Sequence, residues 1–93
     1  MKKWAVIHLI HVHTPRRHIP KLFIEDVPDE VTKEELRSVL TRSGYTFGEF
    51  GVLWANHYLA PHDQWEDEVV GAYNRGVVER VKWDELLRRS QII

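Results

Sequence analysis

The run Lys3–His13 is the strongest constraint on the fold. In an extended chain Trp4, Val6, His8, Ile10 and Val12 fall on one side, and Ala5, Ile7, Leu9, His11 and His13 on the other. Both sides are largely apolar, which is the pattern of an interior strand covered on at least one face. A sheet must therefore form around this segment. Thr14–Pro20 reads as a connector, because its two prolines, Pro15 and Pro20, cannot both join a central ladder. Lys21–Glu25 then reads as a short second strand, making a hairpin with a long loop.

Thr32 and Glu35 have capping-box spacing, and Val31 and Leu36 occupy the hydrophobic-staple positions around that cap. Leu36, Val39 and Leu40 continue as an apolar stripe, and Gly44 supplies a stop, so the spacing predicts a helix over Lys33–Ser43. Phe47–Trp54 reads as a third strand, with Gly48 and Gly51 suited to a bulge. Asn56–Trp65 reads as an aromatic, histidine-bearing loop. Glu68–Tyr73 and Val77–Trp83 are β-prone runs flanking Asn74-Arg75-Gly76, so a tight hairpin is expected there. Asp84 is placed to cap a final short helix that turns Leu86 and Leu87 inward and Arg88 and Arg89 outward.

These elements define a single α+β domain spanning residues 1–93, with an antiparallel sheet of about four to five strands and two helices. A permuted ferredoxin-like sheet with one helix-covered face is the preferred topology, and a plainer antiparallel sheet is the alternative. No apolar run approaches the roughly 20 residues of a membrane span, so no membrane contact is expected. The chain has no cysteine, which excludes disulfides, zinc–thiolate clusters and a cysteine nucleophile. His8, His11 and His13 interrupt the apolar run that follows Lys2 and Lys3, so the start does not read as a signal peptide and a cytoplasmic location is expected.

The net charge of −1 conceals blocks: +5 over residues 1–21, −5 over 22–35, +2 over 36–48, −5 over 49–68 and +2 over 69–93. Such segregation suits surface pairing within the fold, or an acidic face that steers a charged partner.

Leu22-Phe23-Ile24-Glu25-Asp26-Val27-Pro28 followed by Thr32-Lys33-Glu34-Glu35-Leu36 resembles the first strand and first helix of an RNA-recognition motif. The resemblance covers about 20 of the 93 residues. It implies that Phe23 is a base-stacking aromatic, with Arg16, Arg17 and Lys21 as a neighbouring basic patch. The second signature strand of that family, basic–Gly–aromatic–Gly–aromatic, has no counterpart in Glu68–Tyr73 or Val77–Trp83.

Six histidines are the one unusual enrichment. His11 and His13 project from one strand face, a spacing used by paired imidazole metal ligands, with further ligands to come from the connecting loops. No nucleophile elbow and no phosphate-cradling loop is present in the sequence. The loop Asn56–Trp65 is the better candidate: it holds His57, Tyr58, His62 and Trp65, and Tyr and Trp concentrate at binding hot spots. The reading that results is a non-enzymatic binding module without a cofactor, a small regulator or inhibitor that docks on another protein. An RNA-binding domain of RNA-recognition-motif type is the alternative. A histidine-based metal site with hydrolytic activity is the second alternative.

Overall fold

The computed structural model describes residues 1–10, 17–47 and 57–91. Four strands and three helices follow in the order β1 (Lys2–Ile10), β2 (Arg17–Val27), α1 (Lys33–Arg42), β3 (His57–Pro61), α2 (Asp67–Arg75), β4 (Arg80–Lys82) and α3 (Trp83–Gln91), with one 3-10 turn at His62–Gln64. The strands form one sheet in the order β3-β1-β2-β4. β1 is antiparallel to both neighbours, whereas β4 runs parallel to β2.

β1 is the interior strand that its two apolar faces demand. Trp4 and Val6 point to one side, joining Leu22, Ile24, Val27, Leu59 and Val81 under α1 and α3, whose Leu36, Val39, Leu40 and Leu86 complete that core. Ala5 and Ile7 point to the other side, joining Phe23 and Ala60 under Val69 and Ala72 of α2. Both faces of the sheet are thus covered, in three layers, and the expectation of one covered face is corrected. The sheet is also mixed, and its parallel β2–β4 pair departs from the antiparallel, permuted ferredoxin-like arrangement.

The chain passes from β2 to β3 by way of α1 in one direction across the sheet, and from β3 to β4 by way of α2 in the other. Two crossovers of the same hand that run in opposite directions must lie on opposite faces. Helices α1 and α2 do so.

β2 is longer than the short strand expected. It has 11 residues against the 9 of β1, and two bulges absorb the difference. One leaves Lys21 between the Val6↔Leu22 and Ile7↔Pro20 pairs. Pro20 is tolerated because it adjoins this bulge and lies beyond β4, which reaches only Phe23–Glu25. The other falls before Val27, where Asp26 adopts φ 56°.

The first helix starts where the cap places it, with the Thr32 hydroxyl accepting from the Glu35 amide at 3.1 Å. Gly44, at φ 102°, follows its end. The expected strand Phe47–Trp54 lies outside the described residues beyond Phe47.

The largest correction is α2. The run Glu68–Tyr73 is a helix, not a hairpin arm, because Val69, Ala72 and Tyr73 share a helical face that seals the sheet. Gly76 at φ 66° ends the helix as a left-handed cap instead of turning a hairpin. Val77–Trp83 contributes only the three residues of β4, and Trp83 already belongs to α3. Asp84 accepts from the Glu85 amide inside the first turn of that helix, Leu86 is buried and Leu87 half-buried.

Candidate interaction surface

Part of the expected loop Asn56–Trp65 is strand β3, which forms one edge of the sheet. Alternation then divides the four residues singled out in the sequence. His57 stands on the α1/α3 face, directly opposite His8. Tyr58 stands on the α2 face, and its hydroxyl lies 2.6 Å from Nδ1 of His18. Burial and the charge of Glu66 raise the Tyr58 pKa, so the phenol keeps its proton in this contact with His18. Nε2 of the same imidazole lies 3.9 Å from the Glu66 carboxylate.

Trp65 is half-buried against Phe23 and Tyr73, with ring centroids 5.0 and 5.5 Å away, and its indole N–H donates to the Ala60 carbonyl at 2.9 Å. It pins the turn that leaves β3 onto the α2 layer. His62 lies edge-on to Trp65 at 4.7 Å and is exposed. Tyr58, His62 and Trp65 therefore share one side of the edge, and His57 lies on the other.

Phe23 is corrected as a candidate for nucleic-acid stacking. It has no exposed surface, and its ring sits between Trp65 and Tyr73 beneath α2. A base cannot stack on it while the helix is in place. Lys21 is exposed at its bulge, while Arg16 and the side chain of Arg17 lie outside the described residues. The paired metal candidates His11 and His13 also lie outside them. Among the described residues no group of three histidines or carboxylates is placed to hold a metal ion.

Two features of this edge escape a residue-by-residue reading. First, the two sheet edges differ. β4 is three residues long, with Arg80 and Lys82 exposed at its ends, a short cationic edge of the kind that resists further pairing. β3 carries no formal charge on Tyr58, Leu59, Ala60 or Pro61, and among the described residues no strand pairs with its outer side. Second, the chain leaving β3 is acidic. Asp63 in the 3-10 turn, Glu66 at the cap of α2, and Asp67 and Glu68 in its first turn are all exposed. Beside them an open depression lies between the start of β1 and the end of β3, lined by Met1, Lys2, Trp4, Pro61 and His62 among others.

Tyr73 is a further residue that the sequence did not single out. Its hydroxyl donates to Glu25 at 2.9 Å, Lys3 lies over its ring at 5.1 Å, and the Arg80 guanidinium lies 3.8 Å from the centroid while donating to the Tyr73 carbonyl. These contacts tie α2 to β2 and β4 and are structural. No family model, no curated protein and no solved structure matches this chain. No helix among the described residues is long and apolar enough to cross a membrane.

Proposed function

We propose that the chain is a non-enzymatic binding module that takes an extended, basic segment of another protein along the outer edge of β3. The observation that supports this most is the contrast between the edges: β4 is short and cationic, whereas β3 is longer, uncharged over four residues and without a described strand outside it. Strand addition supplies backbone hydrogen bonds, and alternate side chains of the added strand supply specificity. The carboxylates of Asp63, Glu66, Asp67 and Glu68 give the charge preference, because they flank the end of the same edge. His62 and the exposed part of Trp65 supply an aromatic rim beside it.

The test is a titration of isotope-labelled protein with a short peptide alternating Lys and Val, followed by amide shifts. The expected shifts fall on residues 57–61 and 62–68, and they weaken with salt. A Glu–Val peptide gives little response. Asp63→Lys combined with Glu66→Lys reduces the response to the basic peptide. Equal responses to both peptides, or none on β3, would remove the reading.

A further inference from the structure

Where β3 begins, two imidazoles meet across the ladder. His8 and His57 are direct partners in the antiparallel register, with ring centroids 4.9 Å apart and planes 28° apart. His57 Nδ1 lies 3.0 Å from the Thr46 carbonyl, so it must carry a proton and donate. Tyr45 and Phe47 bring their ring edges to the same imidazole at 6.2 and 6.4 Å. Residues 45–47 thus strap His57 from the end of α1. The charged groups that face this cluster come from several elements. Lys21 of β2 acts on His8. Arg37 of α1 lies over the Phe47 ring at 5.6 Å. Glu79, just before β4, and Arg89 of α3 face Tyr45, and they lie 3.4 Å from one another as an ion pair. The one carboxylate in this set is therefore already engaged by a cation.

We infer that the His8–His57 pair is a pH-sensitive latch, closed while at most one of the two rings is charged and open when both are. Two imidazolium ions at this spacing repel, and among the described residues no facing carboxylate is free to offset them. Proton uptake by His8 is the resisted step. Burial first, then His57 and Lys21, hold its pKa below the ordinary histidine value. The Thr46 bond survives protonation, because Nδ1 of His57 donates in either state. The strap therefore moves with β3, and the opening lies between His57 and His8. It unzips the start of the β1–β3 ladder and leaves the Ala5↔Ala60 end paired.

The experiment is amide exchange on the full chain at pH 7.5 and pH 5, corrected for intrinsic rates, alongside direct imidazole titration by NMR. The latch predicts that exchange at Ile7 and Tyr58, the ladder pair next to the two histidines, rises about tenfold on acidification, the equivalent of one pKa unit of coupling, while Ala5 and Ala60 stay unchanged. His8→Phe, which keeps a stacking ring that cannot charge, abolishes the rise. His62→Gln, at an exposed histidine elsewhere, preserves it. If His8→Phe does not fold, the wild-type titration still decides. The pair must titrate in two separated steps, with the lower one moving up toward 6.5 in His57→Gln. Independent, ordinary titrations together with pH-invariant exchange at Ile7 and Tyr58 overturn the inference.

Discussion

Replacing Phe23 by alanine tests the layer architecture. Phe23 is fully buried on the α2 face of β2, against Ala5, Ile7, Ala60, Val69 and Ala72, with Trp65 and Tyr73 in ring contact at 5.0 and 5.1 Å. Burying a phenylalanine removes about 150–250 Å² from water, which at about 25 cal/mol per Å² gives an upper estimate of about 4–6 kcal/mol. Truncations of this kind cost about 3–5 kcal/mol where the site cannot collapse. The rigid neighbours Trp65 and Tyr73, each anchored by its own hydrogen bond, argue against collapse. We therefore expect a loss of about 3–5 kcal/mol, a large share of the roughly 5–14 kcal/mol total available to a domain of this size. Urea melts followed by tryptophan fluorescence measure it, with Val77→Ala as a control at a residue 66% exposed. A loss below about 1 kcal/mol would mean that α2 does not cover this face. That result would also restore Phe23 as a ring open to a nucleic-acid base.

Other expectations follow from single features. Thr32→Ala removes the acceptor for the Glu35 amide and should lower stability by about 0.5–2 kcal/mol in the same melts. Gly76→Val forces a β-branched residue to φ 66° at the end of α2 and should cost more than about 1 kcal/mol, whereas Gly76→Asn should cost less, as thermal melts of the two would show. Stability should fall as the pH drops below about 6.5. The folded His8 has the lowered pKa, so the unfolded chain takes up the proton first; the loss levels off once the folded pKa is passed. Chemical denaturation at a series of pH values should show this slope, and His8→Phe should flatten it.

The elements written in local signals were legible. The capping box and staple around Thr32 fixed the start of α1, and the two-sided apolarity of residues 3–10 marked β1 as interior. The elements decided by tertiary burial were not. Val69-Val70 is β-prone in isolation, but Val69, Ala72 and Tyr73 gain more by closing over Phe23 than they would as a hairpin arm. β4 is parallel to β2, and a parallel pair carries no turn signature between adjacent segments. At the candidate site, the aromatic and histidine content of 57–65 was visible in the sequence. Its division between two sheet faces depends on the strand register, as do the His8–His57 and His18–Tyr58 pairs, whose partners lie far apart in sequence.

Residue-resolved hydrogen exchange along β3 tests the interaction edge most directly. A strand paired on one side alone buries alternate amides against β1 and leaves the others facing outward. We expect slow and fast exchange to alternate over Tyr58–Ala60 in the free protein, and the fast amides to become protected when the Lys–Val peptide is added. Uniform protection of these amides before any peptide is added would show that the outer edge is already paired, and would contradict the proposed docking site.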